Sequence, residues 1–321
     1  MTQSPVFVIN PKSHKVNMQG SVLTRVAIDY GDIPIVYFDG STPLNEALSP
    51  LLQAGRDTIY VEGGDGTVVA ALSAGYAEHI SGRPMPRLAI LPGGSTNLAH
   101  AVLGLKAFDP DQLRARLSQR KSQNVAQEIT AHKALLIETS DMSSPYVGFL
   151  LSTGSLARLM LYTQANLHGK TRGVVSIARA ILQLSLFPYS TKDEDGLPLV
   201  RRSQFERLCG QADSEASAQT FSILSTFREL SLGLSPFWGR GDAPIGFTSA
   251  AWPIRRLRLG IAKAVMSGAG QVLESHGLSS RGCSDMVFKT DGPVMLDGED
   301  LPMPDDKTFK VSVSPDLEFL R

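Results

Sequence analysis

The chain has 321 residues, 42% of them hydrophobic and 19% charged, which predicts two domains with separate cores. Lys plus Arg and Asp plus Glu both number 31, excluding a global electrostatic pull towards nucleic acid or an acidic partner. Cys209 and Cys283 lie far apart and match no zinc or redox spacing, so reduced thiols in a cytoplasmic protein are expected.

The start, MTQSPVFVINPKSHK, has neither the cationic beginning nor the apolar core of a signal peptide. The longest candidate for membrane contact, residues 173–187, is interrupted by Arg179 and too short to span a bilayer, which takes about 20 residues. The expectation is a soluble protein, at most peripheral to the inner face of the membrane. Homodimer formation is left open.

Val6 to Ile9 read as a buried strand ending at Asn10 and Pro11, with NPKSHK as a polar loop. Residues 21–29 suit a helix, and IPIVYFD a second strand. Thr42 and Pro43 then supply an N-cap and a first-turn proline for a helix to about Ala54, closed by Gly55. Thr58 to Val61 form a third strand, the GGDGT turn follows, and an apolar stripe from Val68 to Ala74 makes a helix stopping at Gly75. Leu88 to Leu91 form a fourth strand, then PGG, a cap at Ser95 or Thr96, and a helix ending at Gly104. A short helix is expected near Gln112 to Leu117.

From about residue 124 the pattern changes to period two, in NVAQEIT, KALLIETS and YVGFLLST. A helical stretch, roughly Lys170 to Leu186, interrupts it, after which FSILSTF, RRLRLGIA and MVFKT continue the strands. Asp291 and Gly292 predict a hairpin leading into PVMLDGED. The expected organisation is an α/β domain over 1–123 and a β-rich domain over 124–307. The last pair, KTFKVSVSP and DLEFL, about 308–321, is expected to return to the first domain.

Four βα repeats imply a doubly wound sheet, whose ligands sit beyond the carboxyl ends of the strands. NPKS, GGDGT and PGGSTN would then gather at one edge. Gly63, Gly64 and Gly66 remove three β-carbons between a strand and a helix start, which lets a bulky anion approach the backbone N–H groups. Asp65 beside a phosphate requires a metal ion, a hydroxyl or a base edge between them. The string is neither GxGxxG nor GxxxxGK[ST], so a dinucleotide fold and a common NTPase are not indicated. Taken singly, GGDGT and PGGSTN are equally well read as glycine turns, and DGE at residues 297–299 as an exposed turn.

With these pieces placed, the chain resembles the diacylglycerol kinase catalytic-domain family, including soluble bacterial lipid kinases and the related sphingosine and ceramide kinases. The carriers are NPKS at residues 10–13, GGDGT at 63–67, LPGGSTN at 91–97, GSLAR at 154–158 and LDGE at 296–299. The resemblance spans nearly the whole chain. It implies a nucleotide-binding α/β domain, a β-sandwich-like second domain with a helical insertion, and ATP and Mg²⁺ in the cleft between them. It places Asn10, Ser13, Gly63, Gly64, Asp65, Gly66, Thr67, Gly94, Ser95, Thr96 and Asn97 at the nucleotide, with Asp65 the candidate metal residue. It makes Asp297 the base that takes the lipid hydroxyl's proton, with Glu299 orienting it or holding a metal. Phosphoryl transfer needs charge neutralisation and a carboxylate near the attacking hydroxyl, so the residue types suit.

Three departures from the family pattern stand out: His14 where Gly is common, Leu98 where many lipid kinases have Asp, and no acidic DG segment in GDAPIGFTSAAWPIRRL. The last puts an accessory metal site in doubt. A lipid acceptor at a membrane surface calls for an apolar mouth with nearby cations, and residues 156–187 offer one, with Arg158, Lys170, Arg172 and Arg179 among the apolar positions. Core helices with a solvated basic face explain the same spacing. RRLR at 255–258 reads as one polar strand face, and no HExxH or GxSxG pattern points to zinc or serine hydrolysis. The expected function is an ATP-dependent lipid kinase acting on diacylglycerol or a similar lipid. The alternatives are an NAD-kinase-like phosphotransferase and a catalytically silent nucleotide- or lipid-binding regulator.

Overall fold

The computed structural model describes residues 4–94, 97–106, 108–119, 128–142, 144–166, 191–193, 195–209, 213–230, 235–253 and 273–321. The first elements are β1 (Pro5–Ile9), α1 (His14–Gln19), α2 (Val22–Ala27), β2 (Ile35–Tyr37), α3 (Leu44–Gln53), β3 (Thr58–Gly63), α4 (Asp65–Ile80), β4 (Arg87–Pro92), α5 (Leu98–Leu103), α6 (Pro110–Ser118) and β5 (Ile129–His132). They are followed by β6 (Leu135–Glu138), β7 (Tyr146–Gly148), β8 (Leu150–Gly154), α7 (Ser155–Asn166), β9 (Ser203–Cys209), β10 (Asp213–Ser225), β11 (Ile245–Ala251) and β12 (Leu278–Cys283). The chain ends with β13 (Met286–Thr290), β14 (Val294–Leu296), β15 (Glu299–Leu301), β16 (Thr308–Val313) and β17 (Leu317–Leu320). Two compact units result, one of residues 1–133 with 315–321 and one of residues 134–314.

The first unit holds a six-stranded sheet in the order β2-β1-β3-β4-β17-β5, parallel except for β5. Its central strands are buried on both faces, as a parallel sheet covered by helices requires. The period of two divides them. Phe7, Ile9, Tyr60, Ala89 and Leu91 pack with Val16, Leu23, Val26, Leu113 and Leu117 of α1, α2 and α6. The alternate residues Val6, Val8, Ile59, Val61, Leu88 and Ile90 are equally buried, and α4 packs on β3 with α3 beside it. Because β1 lies between β2 and β3, the chain reverses direction across the sheet at the carboxyl ends of β1 and β3.

Some local expectations change. His14 opens α1, so NPKSHK is loop only as far as Ser13. Pro43 rather than Thr42 stands at the N-cap of α3, where it makes no side-chain cap bond. NVAQEIT contributes β5 to the first sheet, antiparallel to β17, which moves the boundary from residue 123 to 133. Of the last strand pair only β17 returns, because β16 is held between β13 and β6 in the second unit.

The second unit differs from the expected two-sheet sandwich: among the described residues its eleven strands form one hydrogen-bonded antiparallel sheet. The physical cause is the long strand β10. One stretch of it, residues 213–219, pairs with β9, while 221–225 pair with β8 and, on the other edge, β11. The irregularity between Gln219 and Phe221 bends it there, so the sheet curls instead of splitting. Leu151, Phe205, Phe247, Phe288, Leu296 and Phe309 of this sheet are buried in one core. The helical insertion expected over residues 170–186 lies outside the described residues. No helix among the described residues is long and apolar enough to cross a membrane.

Candidate functional site

The carboxyl edge of the first sheet joins three loops. Asn10, just past β1, donates its backbone N–H to Glu62 O (2.9 Å) and its Nδ2 to Thr67 Oγ1 (3.0 Å). Its Oδ1 accepts from Lys12 N, and its carbonyl accepts from Ser13 N and Oγ. Lys15 N then donates to Gly93 O at 2.8 Å, and Gly93 N to Gly63 O at 2.9 Å. The NPKSHK segment is thereby bonded to both glycine loops.

The glycines have a structural explanation. A β-carbon at Gly93 would lie 2.6 Å from Gly63 N, and one at Gly94 would lie 2.5 Å from Gly64 Cα. One at Gly63 would strike the Thr67 side chain at 2.5 Å. Close approach of the two loops therefore accounts for Gly93 and Gly94, and the Thr67 side chain for Gly63. Gly64 is different, because a β-carbon there would meet Gly94 Cα at an ordinary 3.5 Å. Gly64 is the N-cap of α4, a helix of 16 residues, and no side chain caps this start. Long helices with open first-turn amides attract anions.

Asn97 adopts the left-handed conformation (φ 50°) as N-cap of α5, a conformation Asn tolerates better than most residues. Its side chain closes a reciprocal pair with Gly94, accepting from Gly94 N (2.8 Å) and donating to Gly94 O (2.7 Å). Asn97 takes the N-cap role expected of Ser95 or Thr96, both of which lie outside the described residues. Asp65, in the first turn of α4, accepts from Ala99 N at 3.1 Å, so its carboxylate serves the start of the neighbouring helix. Burial pushes this carboxyl above its ordinary value of 3.8, while the amides of Ala99, Leu98 and Asn97 work against the shift. Among the described residues no group of three or more His, Cys, Asp or Glu side chains is arranged to hold a metal ion.

Glu62 was not singled out from sequence. It ends a strand of otherwise apolar or small residues, and its buried carboxylate accepts from Ser21 Oγ, Val22 N and Leu23 N, fixing the start of α2. A lone acid at the end of a strand buried on both faces is the signal that would have found it.

In the second unit, Asp297 (φ 50°) and Gly298 (φ 91°) form the two-residue turn between β14 and β15. Positive φ at both positions is the type I′ signature, for which Asp-Gly is a preferred sequence. The Asp297 carboxylate accepts from Phe149 N through Oδ2 and from Leu150 N through Oδ1, both at 2.8 Å, and Asp297 N donates to Leu150 O. Glu299 lies exposed at the start of β15. The GSLAR segment begins α7. Arg158 is buried and donates Nη2 to Ser203 Oγ at 2.9 Å. Burial, together with the nearby charge of Arg201, lowers it to about 10. The structure thus gathers Asn10, Ser13, Gly63, Gly64, Asp65, Gly66, Thr67, Gly94 and Asn97 at one edge of the first unit. Asp297 and Glu299 share one turn of the second.

Residues 4–127 match the diacylglycerol kinase catalytic domain. The chain is similar in fold to the crystal structure of a diacylglycerol kinase from Bacillus anthracis str. Sterne, with a TM-score of 0.59, 11% identity, and 99% of this chain and 96% of that one covered. A second crystal structure of a diacylglycerol kinase from that organism, so described, gives 0.60 at 12% identity, covering 98% and 93%. Yeast NADH kinase complexed with NADH gives 0.48 at 10% identity, covering 100% and 84%, a score too low to carry an argument. None of the curated proteins matches the sequence.

Proposed function

We propose, because residues 4–127 match the diacylglycerol kinase catalytic domain, that the chain is an ATP-dependent lipid kinase that phosphorylates the hydroxyl of diacylglycerol or a similar lipid. The observation that carries the reading is the edge at the reversal point of the first sheet. There an uncapped 16-residue helix begins at Gly64, beside the loops of Asn10 and Gly94. The first-turn amides of α4 and the side chains of Asn10 and Thr67 suit the phosphates of a nucleotide. Among the described residues no group of three or more His, Cys, Asp or Glu forms a cage for Mg²⁺, which kinases hold with one or two carboxylates and the substrate phosphates; bound with ATP, it would neutralise charge on the transferring group.

In this reading the acceptor hydroxyl attacks the γ-phosphorus, its proton passes to the Asp297 carboxylate, and ADP leaves. The two backbone N–H groups that Asp297 accepts fix the orientation of the carboxylate in which it would take the proton. The acceptor is a lipid reached at a membrane surface; of the region 156–187 expected at the entrance, residues 167–187 lie outside the described residues. Vesicle sedimentation tests this, because binding unchanged by charge reversal at Arg172 and Arg179 contradicts it.

One observation favours a second reading. Both Asp297 oxygens already serve the backbone of Phe149 and Leu150, as a purely structural turn would have them. A catalytically silent nucleotide- or lipid-binding regulator would keep the same arrangement. Radiolabel transfer from ATP to a panel of diacylglycerol, monoacylglycerol, sphingoid lipids and NAD separates the two. Transfer to a lipid supports the kinase, transfer to NAD replaces it with the NAD-kinase-like alternative, and nucleotide binding without transfer leaves the silent regulator.

A further inference from the structure

The turn that carries Asp297 is held from two sides. Beneath it, the Asp297 carboxylate and N–H are bonded to Phe149 and Leu150. Above it, Gln164 near the end of α7 donates Nε2 to Gly298 O at 2.6 Å. This second bond is non-local. It comes from a residue 134 positions away, on a helix that starts at the opposite end of β8.

α7 itself is firmly rooted. Ser155 Oγ accepts from Arg201 N and donates to Arg201 O, Arg158 bonds Ser203, and Ser152 Oγ on β8 meets Met160 Sδ at 3.5 Å. Leu159 is buried against Leu199. From Ser155 to Gln164 the helix rises about 14 Å, so it is a strut that runs back along β8 and ends over the turn. The Asp-Gly sequence already satisfies the turn's own conformational needs. A further bond from a separate, anchored helix therefore serves to fix where the turn sits.

We propose that Gln164 is a positioning residue, which through Gly298 holds the Asp297 carboxylate in its working orientation. The inference rests on the reading of Asp297 as the group that receives the acceptor's proton. Gln164 is exposed, so its substitution leaves the folded core intact.

The experiment compares wild type, Gln164→Glu, Gln164→Lys and Asp297→Asn by steady-state phosphoryl transfer and by hydrogen exchange at the amides of Phe149 and Leu150. Glu keeps the size but presents an acceptor to the Gly298 carbonyl, whereas Lys restores a donor. For Gln164→Glu the expected result is a kcat lower by about five-fold, the worth of one ordinary hydrogen bond. KM for ATP should be unchanged, exchange at the two amides faster, and both effects reversed by Gln164→Lys. Wild-type kcat and exchange in Gln164→Glu would overturn the proposal, as would equal losses in the Glu and Lys variants. Absence of transfer by wild type would instead overturn the kinase reading, while the exchange comparison still decides whether Gln164 holds the turn.

Discussion

Two glycine-to-alanine substitutions separate packing from ligand binding at the first unit's edge. At Gly93 a new β-carbon would lie 2.6 Å from Gly63 N and 2.7 Å from Gly63 Cα, and these are backbone atoms that cannot swing aside. Forcing the loops apart should cost about 1–3 kcal/mol, as overpacking does elsewhere. At Gly64 the nearest atom is 3.5 Å away and the backbone is extended (φ −84°, ψ −179°), so alanine fits. Restricting the unfolded chain there should stabilise by about 0.4–1 kcal/mol. Urea denaturation at unchanged m should therefore rank Gly64→Ala at or above wild type and Gly93→Ala well below both. Calorimetric titration with ATP should show the reverse sensitivity for a fold-neutral change. Gly64→Ala should weaken ATP by about ten-fold or more, as expected if its methyl prevents one charge-assisted bond worth ~1.5–3 kcal/mol. Wild-type ATP affinity in Gly64→Ala would refute the placement of phosphate at this helix start, and wild-type stability in Gly93→Ala would refute the packing account.

At Asp65 the folded carboxyl is raised above 3.8, so the folded state holds the proton more tightly; its favourable contribution is full below 3.8 and is lost as pH rises through the folded value. Denaturation curves should show wild type losing stability relative to Asp65→Asn from about pH 4 upwards, and parallel curves would contradict this. Asp65→Ala also loses the acceptor for Ala99 N, at about 1 kcal/mol. Glu62→Ala strips Ser21, Val22 and Leu23 of their buried acceptor and should cost about 2–3 kcal/mol in urea, with an unchanged midpoint counting against it. Partial burial pushes the Cys283 thiol up to about 11, so alkylation at pH 8 should be far slower in the folded protein than in denaturant; equal rates would contradict the half-buried setting.

The first unit was legible because its signals are local. Runs such as Val6 to Ile9 and Thr58 to Val61 can be only buried strands in this setting, and glycine-rich junctions mark the strand ends. The Asp297–Gly298 turn was legible from its Asp-Gly sequence, and cross-strand pairing places it between β14 and β15. What sequence could not supply is long-range partnership. Asp65 draws attention as a ligand for phosphate or metal, yet its carboxylate is bonded to Ala99, 34 residues on. Glu62 attracts no motif, yet it organises the start of α2. The continuous curled sheet depends on β10 changing partners along its length, and period-two alternation reads the same whether a strand lies in one sheet or bridges two. The boundary moved for a similar reason, because β5 earns its place in the first sheet only through β17 at the far end of the chain.

The most direct test of the central claim is transfer of γ-labelled phosphate from ATP into diacylglycerol presented in mixed micelles, measured as label in the organic phase for wild type and Asp297→Asn. Label entering the lipid with wild type, and a rate lower by at least about a hundred-fold with Asp297→Asn, is the predicted result, in the range expected for removing a general base. No label in the lipid phase with wild type that binds ATP, or equal rates in the two proteins, would contradict it.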